Sequence, residues 1–135
     1  MDIMLSLQGL GDFLAYFAAA LAAEAIFIWL YMLVTPHHEA DLIKNGNAAA
    51  AVSLGGAVIG FTLPLASAVI GSVSLLDMAI WAAIALVVQV VVFLAASRIL
   101  RGLSARIESG DMAAGITVAA ASVAIGILNA ASMTY

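Results

Sequence analysis

One acidic side chain, Glu24, lies near the centre of the apolar run 13–35, at a depth where a charge costs roughly 2.5–3.5 kcal/mol on insertion scales. No Lys, Arg or His falls inside this run or the three other long apolar runs, 48–71, 77–97 and 112–133. Arg98, the nearest arginine of the other half, is about ten residues from the midplane, roughly 15 Å along a helix. A carboxyl group so placed must hold a proton, take a cation from solution, face water, or hydrogen-bond to polar neighbours. The chemistry on offer is a proton or small-cation site. The plainer alternative is a neutral acid that ties helices together, as polar side chains do in bilayers.

Four further groups can assist Glu24. Gln89 occupies the matching place in the second half of the chain. Tyr31, seven residues on, shares nearly the same helical face. Pro64 has no N–H to give the carbonyl of Gly60, which leaves that oxygen free near the midplane. Ser67 lies on the same face as Gly60. The run 48–71 also carries a stripe of small residues, Ser53, Gly56, Gly60, Ser67 and Gly71, with Pro64 among them. Gly56-x-x-x-Gly60 permits close backbone approach, so a packing seam is the ordinary explanation of the stripe. Thr117, Ala120, Ala124 and Ala131 repeat it in the last run. Ser122 and Asn129 share a face there and read as groups that hydrogen-bond between helices.

Other polar residues have simpler roles. Asn47 and Asp111, each after a glycine, are helix N-caps whose side-chain oxygen accepts from a first-turn amide. Asp111 would repel an anion at that helix start. His37, His38, Glu39 and Asp41 are metal-ligand types, but adjacent histidines on a connection define no tetrahedral geometry; no metal is expected, and the segment reads as a solvated helix end. Arg98, Arg101 and Arg106 suit anionic head groups or interfacial snorkelling. The chain has no Cys, which excludes disulfides and thiolate chemistry. No nucleophile elbow, phosphate loop or catalytic dyad occurs. A single carboxylate without a partner acid, base or metal set makes an enzyme a poor reading, and no cofactor is expected.

The elements that position these groups follow from composition. Of 135 residues, 66% are hydrophobic and 9% charged, with 4 Lys+Arg against 8 Asp+Glu. Soluble domains carry about 25% charge; here the polar side chains are too few to cover a globule. An ordinary soluble domain, a disordered chain and a nucleic-acid binder are excluded. The solvent is the lipid bilayer, and each of the four runs meets the roughly 20 residues a spanning helix needs. Continuous apolar runs rather than alternation argue against a barrel. The start, Met1-Asp2-Ile3, lacks the positive charge of a signal peptide, so the first run is expected to stay in the membrane. Lys44, Arg98, Arg101 and Arg106 all fall in or beside the connections 36–47 and 98–111. These connections are therefore expected in the cytoplasm and both termini outside.

The two halves resemble one another. Shifted by 64 residues, 42–47 (Leu-Ile-Lys-Asn-Gly-Asn) meets 106–111 (Arg-Ile-Glu-Ser-Gly-Asp), Ala49-Ala50 meets Ala113-Ala114, and Ser53 meets Thr117. Shifted by 65, Asp12 meets Asp77 and Glu24 meets Gln89. The expected architecture is all-α: one integral membrane domain of four spanning helices, built as two tandem two-helix repeats, about 12–71 and 77–133. Their axis would run along the membrane normal.

The set Ile43-x-x-Gly46-Asn47-x-Ala49-Ala50, Gly56, Gly60, Pro64-Leu65-x-Ser67-Ala68, Ser72-x-Ser74, Asp77, Trp81, Gln89 and Gly110-Asp111 resembles the YjfL-like family of small bacterial inner-membrane proteins. This is the domain of unknown function 350, UPF0719-like. The resemblance covers nearly the whole chain. It implies four spanning helices in the bacterial inner membrane and brings no catalytic residues with it. The leading expectation is a transporter or channel component that moves or senses a proton or small cation, working as a homodimer or higher homo-oligomer. The alternative is a non-catalytic accessory subunit that scaffolds a partner complex.

Overall fold

The computed structural model describes residues 2–35, 37–99 and 102–133. Pro36 and Arg101 lie outside the described residues. Among the described residues six helices follow in order: α1 (Ile3–Val34), α2 (Glu39–Lys44), α3 (Ala48–Gly71), α4 (Leu75–Ile99), α5 (Leu103–Glu108) and α6 (Met112–Ser132). Among the described residues there is no strand. Helices α1, α3, α4 and α6 are long and apolar enough to cross a membrane.

The bounds of α3 are those expected, because Asn47 caps its start: Oδ1 accepts from Ala50 N at 3.0 Å. By contrast, α1 begins ten residues before the expected Phe13. An apolar run finds the hydrocarbon-buried part of a helix and not its cap, which here is Asp2, accepting from Met4 N at 3.0 Å. Its 32 residues reach about 48 Å, well past a hydrocarbon core of roughly 30 Å. A reciprocal cap likewise starts α4 at Leu75 and not Asp77: Ser74 Oγ accepts from Asp77 N at 3.1 Å, and Asp77 Oδ2 accepts from Val73 N at 3.0 Å.

Each of the two longer connections holds a six-residue helix, α2 or α5. Both end in the same turn. Gly46 and Gly110 adopt φ 85° and 86°, the left-handed conformation that glycine takes without strain. Asn47 N then reaches Leu42 O and Gly46 N reaches Ile43 O, at 2.9 and 3.0 Å; Asp111 N reaches Arg106 O and Gly110 N reaches Ile107 O, both at 2.9 Å. This is a Schellman stop, placed identically before α3 and α6.

Helices α3 and α6 form the centre. They run in the same direction, since Ala49 meets Gly115, Gly56 meets Ala119 and Ser67 meets Ala130. Small side chains set their spacing. A Cβ on Gly126 would stand 1.9 Å from Gly60 O, so these backbones touch. Helices α1 and α4 pack against the central pair through Phe27, Tyr31, Phe61, Leu65, Ala82 and Ala85, which are buried in one cluster. Phe27 stacks on Phe61 with ring centres 4.5 Å apart, and Tyr31 packs on Phe93 at 4.8 Å. The first half of α1 is exposed, with Ile3, Leu5, Phe13 and Phe17 facing outward.

Candidate functional site

Glu24 is half-buried on α1 against α3. Its Oε2 lies 2.9 Å from the hydroxyl of Thr62, and that hydroxyl lies 2.7 Å from the carbonyl of Val58. A threonine hydroxyl has one hydrogen, and both neighbours accept when Glu24 is ionised. With a proton on Glu24 every contact is filled: the carboxyl O–H donates to Thr62 Oγ, and Thr62 donates to Val58 O. The other oxygen, Oε1, is buried and has no hydrogen-bond partner among the described residues.

The groups expected to assist Glu24 lie elsewhere. Gln89 is buried and donates through Nε2 to Ser122 O at 3.1 Å. Asn129 donates to Ala85 O at 3.1 Å and stands 3.4 Å from Gln89 Oε1. Gln89 Nε2 also borders Gly60. The carbonyl of Gly60, freed by Pro64, is seated against Gly126 and is not open to an ion. Ser67 donates to Ala130 O at 3.3 Å. Glu24 and Gln89 do share a depth, since their contacts on α3, Thr62 and Gly60, are two residues apart. That is about 3 Å along the axis but roughly 200° around it. The two polar groups thus flank α3 on opposite sides.

Tyr31 follows Glu24 on the same face of α1 and leads to a second polar cluster. His37 and Glu39 are 5% and 2% exposed, which overturns the expectation of a solvated helix end; His38 alone of these three is exposed. The fold draws the segment inward because α2 turns back beneath α1 and α3. His37 Nε2 pairs with Glu39 Oε1 at 2.9 Å, and His37 Nδ1 is hydrogen-bonded to the hydroxyl of Ser104 on α5. The Tyr31 hydroxyl faces Glu39 and Ser53. Neither that hydroxyl nor Glu39 Oε2 makes a hydrogen bond among the described residues. One signal in the sequence pointed here. Under the 64-residue shift Glu39 stands where the second half has Leu103, an acid in an inward-facing place. No group of three or more metal-ligand side chains occurs among the described residues.

Asn47 does more than cap α3. Its amide donates to Ile107 O at 2.8 Å and Glu108 O at 3.2 Å, tying the two halves together. Asp111 has no such hydrogen to give; it caps α6 through Ala113 N at 3.0 Å and pairs with Arg106 Nε at 2.7 Å. That hydrogen bond with Arg106 holds its carboxyl below the usual carboxylate range. Ser53 is fully buried, and its hydroxyl donates to Ala50 O at 3.1 Å; Gly56 packs on Ala119. Gly71 ends α3. A groove of about 360 Å³ between α4 and α6 is lined by Trp81, Val88, Ile125 and Leu128, with Asn129 and Ser132 as its polar members. Glu24 does not border it.

Residues 4–133 match the family model described as Domain of Unknown Function (DUF350). The chain is 42% identical over 129 residues to the UPF0719 inner membrane protein YjfL of Escherichia coli strain K12, and equally to the protein of that name from Escherichia coli O157:H7. The match covers 96% of this chain and 98% of each relative. No solved structure matches.

Proposed function

The chain belongs to the DUF350 family, and on that premise we propose that it is a multi-pass inner membrane protein that takes up and releases protons through Glu24. The observation that carries this reading is the arrangement of Glu24, Thr62 and Val58. Three oxygens in a row are fully hydrogen-bonded when the carboxyl holds a proton, and are one hydrogen short when it does not. A buried acceptor without a hydrogen costs about 1–3 kcal/mol, and more when charged. A proton fits better than a metal cation, because the oxygens first named as ligands, Gly60 O and Ser67 Oγ, are engaged in the α3–α6 seam.

In this reading α2 and α5 face the cytoplasm with Lys44, Arg98 and Arg106, and both termini are outside. The halves are duplicated copies, in keeping with the identical stops 64 residues apart. Glu24 lies on an outer flank of the central pair, so a second copy completes its surroundings in a homo-oligomer. The test is proton flux into liposomes holding the purified protein. Wild type is expected to exceed empty liposomes, and Glu24→Gln to return to their level. The described groove is mostly apolar and Glu24 does not line it, which favours an accessory, non-transporting subunit as the second reading. Equal flux with wild type and Glu24→Gln would sink the Glu24 reading, and a stoichiometric partner in affinity purification would favour the accessory one.

A further inference from the structure

The inner end of α1 carries a buried polar cluster at the edge of the fold's apolar core, to which only the Tyr31 ring belongs. Tyr31 comes from α1, His37 and Glu39 from the link and first turn of α2, Ser53 from α3, and Ser104 from α5. Interior packing alone would place apolar side chains here. An unpaired charge inside a protein is strongly unfavourable, and the Glu39 side chain is 0% exposed.

Its contacts form a line. Ser104 is half-buried and so lies nearest to water. Its hydroxyl bonds His37 Nδ1, His37 Nε2 pairs with Glu39 Oε1, and the Glu39 carboxyl faces the Tyr31 hydroxyl. Each member both accepts and donates an exchangeable hydrogen in one of its protonation states. Two of the atoms, Glu39 Oε2 and Tyr31 Oη, are buried without a partner, so the line is not saturated. Tyr31 continues toward Glu24 along one face of α1, with Phe27 and Ile28 between them on that face, each three residues from one and four from the other. Phe27 is stacked on Phe61, and the pair separates the two polar regions.

We infer that Tyr31, Glu39 and His37 form a second proton-binding site, the port by which protons pass between Glu24 and the water on the side of α2 and α5, with the Phe27–Phe61 stack as the barrier between. This rests on the proton reading of Glu24. The transfer needs no co-reactant besides water. A proton arriving from water at His37 Nδ1 is matched by one leaving Nε2 for Glu39 Oε1. The Glu39 carboxyl then yields a proton to Tyr31 Oη while Tyr31 passes its own to a water molecule on the Glu24 side of the barrier, which delivers it to the ionised Glu24 carboxylate. Only these O–H and N–H bonds are made and broken, and no electron moves. Among the described residues, the titratable groups facing the line are its own members; Ser53 from α3 and Ser104 from α5 are neutral, and α4 contributes the Phe93 ring.

The experiment measures proton flux in liposomes for wild type, Glu24→Gln, Glu39→Gln, His37→Gln and Tyr31→Phe, with helix content and elution volume confirming that each variant folds. The same samples give infrared difference spectra after a pH jump. Glu39→Gln and His37→Gln are expected to lower flux about 100-fold, the lower range for a positioned proton-transfer group, and Tyr31→Phe to lower it less. The pH jump is expected to change carboxyl and imidazole bands together in wild type and in Glu24→Gln, and the part of the carboxyl change due to Glu39 to be missing in Glu39→Gln, where that of Glu24 remains. Flux lost in Glu24→Gln but kept in Glu39→Gln overturns the port and leaves Glu24 standing. Wild-type flux no greater than empty liposomes sinks the Glu24 reading; a wild-type spectrum without a Glu39-dependent band then overturns the inner site as well.

Discussion

Neighbouring glycines on α3 give a one-residue contrast that tests the central seam. A Cβ on Gly56 would lie 2.4 Å from both Cα and Cβ of Ala119, whereas one on Gly55 would meet nothing within 4 Å. Ordinary contact begins at 3.4 Å, so in Gly56→Ala helices α3 and α6 must part by about 1 Å at that level. The obstacle is backbone and Cβ, which have no rotamer to escape into. Overpacking a well-packed interior costs about 1–3 kcal/mol, and the upper part of that range applies here. Gly55→Ala instead relieves the helix of a flexible residue, worth about 0.5–1 kcal/mol in its favour. Gly56→Ala has the same gain, which cancels in the comparison, so the two variants should differ by roughly 2–3 kcal/mol. Reversible unfolding in mixed micelles, followed by circular dichroism, reads the difference. Equal stability of Gly55→Ala and Gly56→Ala would refute the argument that direct backbone contact holds the seam.

Three other outcomes follow from particular contacts. Thr62→Ser keeps the hydroxyl beside Glu24 and should retain proton flux, whereas Thr62→Val removes it and should not; the liposome assay compares them. Asn47→Asp preserves the cap on Ala50 N but loses the hydrogens given to Ile107 O and Glu108 O, and should destabilise the fold by about 1–3 kcal/mol in micelle unfolding. Asp111 has a lowered folded-state pKa, so its contribution is fully present above its usual 3.8 and is lost as pH falls through the lower folded value. Arg106→Gln removes the main cause, and the loss should then occur at higher pH in an acid titration of unfolding.

The sequence reveals different features for different physical reasons. Continuous apolar length marks a spanning helix without any tertiary information, and Gly46-Asn47 marks a stop and a cap within five residues of chain; hence α3 was legible to both ends. The start of α1 was not, since Asp2 caps a helix that overhangs the apolar run. Depth was legible for Glu24 and Gln89, because rise per residue is fixed. Their separation was not, because it depends on which faces of α3 meet α1 and α4. Thr62 escaped notice as a single hydroxyl off the small-residue stripe. His37 and Glu39 look like ordinary connection residues until Ser104, 67 positions away, is brought against them. Only the apolar counterpart of Glu39, Leu103, hinted at an inward site.

The most direct measurement is infrared spectroscopy of the protein in hydrated bilayers, comparing wild type with Glu24→Gln. A carboxylic-acid C=O band absent from the variant, shifting when the bilayer is exchanged into heavy water, is the predicted result: a proton held by Glu24 and open to exchange. If the variant removes only an ionised-carboxylate band, or a neutral band that never exchanges, Glu24 does not take up and release protons.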